Sequence, residues 1–244
     1  MSALADSAAA LGKPARDAAA VARLEARLPP LLSIVAGMVD LTGFFTLGHV
    51  FTAHVTGNLV VAAADAVHGG PFNVAQALAI PVFMLAVAVV WLIAQASRRR
   101  GPSLARLLLW VQFLLLAAIL IFSVAAKPSA DPQGLMAGIA VMIAVAAMAC
   151  QFALLRLAMP GAISTAVMTG NLTNAVLSLM DLLLRRCHPD DARRLKRSLQ
   201  LLLGFLFGCV LAAAALPVLG NWAWSLPVIV SGVALACVRP VERA

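Results

Sequence analysis

Charge is scarce in this sequence. Asp, Glu, Lys and Arg make up 11% of its 244 residues, and Asp and Glu together number only 10. A soluble domain carries about 25% charged residues. With 63% hydrophobic residues there is too little polar surface to cover a water-soluble globule, so the apolar excess must face a second low-dielectric phase. The motifs of soluble enzymes are also missing: no Walker loop, GxGxxG, HExxH or GxSxG, and no paired carboxylates within one segment. No enzymatic activity is expected. The four cysteines, Cys150, Cys187, Cys209 and Cys237, have neither CxxC nor metal-ligand spacing and read as small buried hydrophobes; no metal and no cofactor is expected. Segments of about 10 residues with alternating polarity, the mark of a membrane β-barrel, are absent. Residues 1–28 have no separate apolar core before a cleavage-like site, so they read as a cytosolic tail and not as a removable signal.

What the sequence has is long runs with no Asp, Glu, Lys or Arg: 66–97, 107–126, 132–155, 157–180 and 198–238. About 20 apolar residues cross the hydrocarbon core as a helix. Hydropathy with its Gly, Pro and charge punctuation predicts spans near 30–48, 74–97, 104–126, 134–157, 199–218 and 222–238. Two apolar segments, 49–68 and 161–184, remain. If neither crosses, every Lys and Arg except Lys127, out of 18, shares one side, including the tail, Arg98 to Arg106, the loop 185–197 and Arg156. If one crosses, basic loops land on opposite faces. The positive-inside rule therefore predicts six spans, two half-membrane segments and both termini in the cytoplasm. Net charge of +8 is then accounted for by orientation and anionic lipid, without nucleic acid. Trp91, Trp110, Trp222 and Trp224 fit interfacial belts, and Gly134-x-x-x-Gly138 and Gly204-x-x-x-Gly208 permit close helix contact, including that of a homodimer.

The two leftover segments resemble each other. Thr52-Ala-His-Val-Thr56-Gly57-Asn58-Leu59 matches Thr165-Ala-Val-Met-Thr169-Gly170-Asn171-Leu172 at six of eight positions, 113 residues apart. Each copy follows one predicted span and precedes two, giving repeats over 29–126 and 127–240. Three spans per half is an odd number, so the halves run in opposite directions, as in many secondary transporters. Gly tolerates unusual backbone angles, and Thr and Asn can satisfy groups freed at a helix break. Such a backbone persists at membrane depth only where protein or a cavity shields it. The half-helices that follow, near 59–67 and 172–183, would turn N–H groups toward an anion or carboxylate. An equal reading is that both motifs only break and pack helices.

The run Ser33-Ile-Val-Ala-Gly37-Met-Val-Asp40-Leu-Thr-Gly43-Phe44, followed by His54-Val-Thr-Gly-Asn58, resembles the YoaK-like family of bacterial inner-membrane proteins of unknown function, over about residues 30–238. The resemblance implies a six-span bacterial inner-membrane protein and brings no substrate. Asp40, in the middle of the first predicted span, is the strongest candidate for coupling to a proton or Na⁺, because an intramembrane acid is costly unless paired or hydrated; its alternatives are a structural helix-end partner or Arg156. An imidazole side chain can carry a proton near physiological pH, so His54 is a candidate proton relay or anion contact, with hydrogen bonding as the plainer role. Asp181 is expected to pair with Arg185.

Together these readings predict an all-α integral membrane protein of six transmembrane helices with two half-membrane Thr-Gly-Asn segments in an inverted 3+3 repeat. The expected function is a small secondary transporter for an unidentified small solute. Thr56, Gly57, Asn58, Thr169, Gly170 and Asn171 would frame the solute, and Asp40 and His54 would couple an ion. The alternative is a non-transporting membrane scaffold or sensor that uses the motifs for packing.

Overall fold

The computed structural model describes residues 2–69, 73–165, 167–184 and 190–238, with side chains from residue 21 onward. The described chain forms eight α-helices and no strand: α1 Ser2–Thr46, α2 Gly57–His68, α3 Val74–Ser97, α4 Gly101–Ala126, α5 Leu135–Ala158, α6 Met168–Leu183, α7 Asp191–Leu219 and α8 Ser225–Cys237. Helix ends fall where the sequence punctuates them. The Asn73 carboxamide accepts from the Ala75 N–H and caps α3. Pro102 opens α4, where its missing N–H costs nothing. Gly69 closes α2 in the left-handed region.

Five helical stretches have the length and apolarity to cross a membrane: Val21–Thr46, Val74–Ser97, Gly101–Ala126, Leu135–Ala158 and Asp191–Cys237. The last joins α7 and α8 through a 3₁₀ turn at Gly220–Trp224. That break falls just after Pro217 and at Gly220, whose φ is +51°. The 12 residues of α2 and the 16 of α6 extend only about 18 and 24 Å at 1.5 Å per residue, short of a core about 30 Å thick. Both expose apolar side chains on one flank, Leu59, Val60 and Val67 on α2 and Leu172, Val176 and Leu183 on α6.

Side-chain contacts define two ends of the bundle. At one end Gly48 and Pro132 are apposed, Asn73 donates to the Gly48 carbonyl, and Ser129 bonds Asn221. At the other, Glu25 meets Gly161, Val21 meets Gly101, and Arg106 donates to the Val238 carbonyl. We call these the Thr46 end and the Glu25 end. Between them α1 packs on α7, α3 on α5, α4 on α5, and α8 on α1 and α4, while α2 rests on α3 and α6 on α7. One apolar cluster, with Val35, Val39, Ala144, Met148 and Trp224, fills the centre toward the Thr46 end. A second, with Leu28, Leu104, Leu108 and Leu154, fills the Glu25 end.

The helix that begins at Ser2 runs without interruption through residue 28 into the first span, so the stretch read as a tail is helical. Other sequence expectations change here. Trp224 is fully buried in the core, so it is no interfacial anchor, whereas Trp91, Trp110 and Trp222 are exposed. Gly204 and Gly208 face α1 of the same chain and not a second copy. A Cβ at Gly208 would collide with the Ile34 carbonyl, one at Gly37 with the Phe205 carbonyl, and one at Gly204 would lie 3.1 Å from the Pro30 carbonyl. Of the cysteines, Cys150 is buried, Cys209 partly buried and Cys237 exposed; Cys187 and the Arg185 expected to pair with Asp181 lie outside the described residues.

Candidate functional site

Between α1 and α2 the chain leaves helical geometry and turns back along the end of α1. A loop there must find partners for its amides in a place with little water. Asp40, six residues inside the end of α1, supplies them. Its Oδ1 accepts from the N–H groups of Thr52 at 2.8 Å, Ala53 at 2.9 Å and His54 at 3.5 Å. Its Oδ2 lies 2.7 Å from Nδ1 of His54. The carboxyl is 5% exposed as a residue, whereas about a third of the His54 side chain is accessible. The imidazole stands edge-on to Phe205 of α7, with ring centroids 5.0 Å apart. Asp40 and His54, proposed separately from sequence, thus form one pair, and Arg156 is exposed and is not Asp40's partner.

The Thr-Gly-Asn motif locks the same loop from its other side. Asn58 is fully buried; its Oδ1 accepts from the Phe51 N–H and its Nδ2 donates to the Phe51 carbonyl, both at 2.8 Å. Gly57 leaves room for the Phe51 ring, which would be 3.0 Å from a Cβ there. Thr56 is exposed and makes no capping bond with its side chain. The first amides of α2 are already used: Gly57, Asn58 and Leu59 donate to the carbonyls of His54, Val55 and Thr56. Asp40 meanwhile bonds loop amides that precede this helix start, those of Thr52, Ala53 and His54.

The second copy repeats part of this. Asn171, buried on α6, donates through Nδ2 to the Ser164 carbonyl at 2.9 Å, seven residues back as in the first copy. Gly170 faces the Val167 side chain and Thr169 is exposed. Here α6 starts at Met168, so Thr169, Gly170 and Asn171 lie inside its first turn, whereas α2 starts at Gly57. No acid reaches this loop from α5. Instead Gln151 Nε2 donates to the Leu32 carbonyl at 2.9 Å and lies 3.4 Å from Thr165 Oγ1, while its Oε1 accepts from Gln112 Nε2 at 2.8 Å. Gln112, Gln151 and Thr165 are all completely buried. Thr165 entered the sequence analysis only as the first residue of the second repeat copy, and Gln112 did not enter it. The signal for Gln112 was there: it is the single carboxamide in the uncharged run 107–126. Among the described residues, no three His, Cys, Asp or Glu converge as a metal site would require.

An acid and an imidazole that fasten an interrupted helix, set in a bundle of long apolar helices, define a multi-pass all-α membrane protein with a polar centre. The chain belongs to the family described as a protein of unknown function (DUF1275), which matches residues 28–237. A short segment is also similar to the UPF0700 transmembrane protein YoaK of Bacillus subtilis (strain 168), 58% identical over 31 residues, or 13% of this chain and 14% of that protein. No solved structure matches it.

Proposed function

We propose that this protein is a small secondary transporter of an unidentified small solute, built as six spans in two inverted halves and coupled to a proton or cation at Asp40 and His54. The observation that carries the reading is the Asp40 carboxyl, buried and yet bonded to three amides of a re-entrant loop. Charge-assisted hydrogen bonds are about twice as strong as neutral ones. Protonation or cation binding at Asp40 would therefore loosen residues 52–54, with His54 as the adjacent proton donor or acceptor.

The inverted arrangement has further support. An offset of 113 places α1 on α5, α2 on α6, α3 on α7 and α4 on the stretch containing α8. It also exchanges the α1–α7 packing for the α5–α3 packing, and the Asn58–Phe51 bond for the Asn171–Ser164 bond. Counting α7 and α8 as separate spans supplies six crossings. Every described Lys and Arg side chain except Lys127 sits toward the Glu25 end, which favours that end as cytoplasmic in a bacterial inner membrane.

The test uses sealed proteoliposomes loaded with a pH dye and challenged with carboxylates, amino acids, sugars and cations, beside Asp40→Asn. Proton movement driven by one solute class and lost in Asp40→Asn is the expected result. Silence across the panel from folded protein would overturn transport in favour of the scaffold reading. One observation favours that second reading: the carboxamides of Asn58 and Asn171 are bonded to their own loops. The roles of Thr56, Gly57, Asn58, Thr169, Gly170 and Asn171 in this proposal are accordingly to shape the two loops that border the site. No enzymatic step is part of it.

A further inference from the structure

Two cavities border corresponding helix pairs of the two halves. One of about 460 Å³ lies between α3 and α5 at the Thr46 end, lined by Leu78, Gly138, Ile139 and Met142 and reaching Asn73 and Pro132. Those last two residues touch Gly48 in the first re-entrant turn. The other, of about 10 Å³, lies between α1 and α7 at the Glu25 end, lined by Glu25, Ala26, Pro29, Arg197 and Leu201 beside Ile163 of the second turn. The offset of 113 carries Glu25, Ala26 and Pro29 onto Gly138, Ile139 and Met142, and Gly48 onto Gly161. The matching stretches of α1 and α5 therefore border a nearly filled cavity in one half and a wide one in the other.

Glu25 is what differs between those stretches. Its Oε1 accepts from the Gly161 N–H at 3.0 Å, and its carboxylate lies so close to the turn that a Cβ at Gly161 would be 2.8 Å from it. At the matching Gly138, nothing lies within 4 Å of where a Cβ would stand. The helix that carries Glu25 also has a natural bending point. Pro29 and Pro30 lack the amide hydrogens that the carbonyls of Glu25 and Ala26 would meet in an unbroken helix, and proline at such positions permits a kink. Beyond them, the glycine contacts with α7 hold α1 in place.

We propose that Glu25 is the latch of a cytoplasmic gate, and that the structure is the outward-open member of an alternating pair. Release of Glu25 from Gly161 opens the α1–α7 cavity while the α3–α5 cavity closes. This rests on the transport reading and on the inverted repeat.

The test uses the full-length protein in proteoliposomes, with the four native cysteines changed to alanine and one cysteine introduced at Met142 or Leu201. A membrane-impermeant maleimide is applied from either side. Met142→Cys is expected to react from outside, and Leu201→Cys to react slowly from inside. Adding Glu25→Gly should speed Leu201→Cys labelling by about tenfold, the scale of losing one hydrogen bond to a charged group, and slow Met142→Cys in return. Glu25→Gln keeps the accepting oxygen and should behave as the parent does. Gly138→Glu, placed in open space, supplies the mirror test should Glu25→Gly fail to fold: it should slow Met142→Cys and speed Leu201→Cys. Faster Leu201→Cys labelling with Met142→Cys unchanged would make Glu25 a local plug and overturn the gate. No change at either position, or an unreactive Met142→Cys, would overturn it as well. The assay needs no solute, so its failure is separable from a failure to find transport.

Discussion

At the scale of single residues, the polar groups inside this bundle act first on backbone. Asn58 meets both the N–H and the carbonyl of Phe51, and Asn171 donates to the Ser164 carbonyl. Removing a partner from a buried polar group costs about 1–3 kcal/mol per group left unmet. Asn58→Ala is therefore expected to lower stability by roughly 2–4 kcal/mol. Thermal unfolding in detergent, beside the parent protein, checks this; an unchanged midpoint would refute the Phe51 lock. Asp40 and His54 were legible in the sequence as individual oddities in an apolar setting. Their pairing was not, because the loop that brings them together across 14 positions has no periodicity from which to read a contact.

At the scale of elements, long uncharged runs made the spans readable, and the 113-residue echo identified the two short helices. Helix starts and packing partners were less accessible. A small residue advertises that something comes near, without saying which helix does, so Gly204-x-x-x-Gly208 was equally compatible with a second copy. The contact is with α1, and it is tight. Gly208→Ala should force α1 from α7 and cost about 1–3 kcal/mol, the usual range for overpacking. Gly138→Ala meets open space and should stay within about 1 kcal/mol of the parent, the helix-propensity difference between Gly and Ala. Detergent unfolding midpoints of the two variants test this, and equal sensitivity would contradict the packing described. Trp224 was misread because a tryptophan beside a turn normally marks an interface, while here the 3₁₀ turn folds its ring inward against the core.

At the scale of the whole molecule, the two ends of the bundle differ in charge, and that difference makes a topological prediction. Cysteines placed at Gly69 and Gly220 should label from outside the cell, and one at Ser103 only from inside; external labelling of Ser103→Cys would invert the assignment. The contact of α1 with α7 has a separate consequence, for how the protein is made. Ser33 bonds the Leu201 carbonyl across 168 positions, and Cys209 reaches the Gly37 carbonyl across 172. At about 5–20 residues per second of synthesis, α1 stays in the bilayer for roughly 10–30 s before α7 emerges. Throughout that interval the groove shaped by Gly37 has no neighbour from its own chain. A nascent chain that stops short of α7 leaves its first helix permanently without that neighbour.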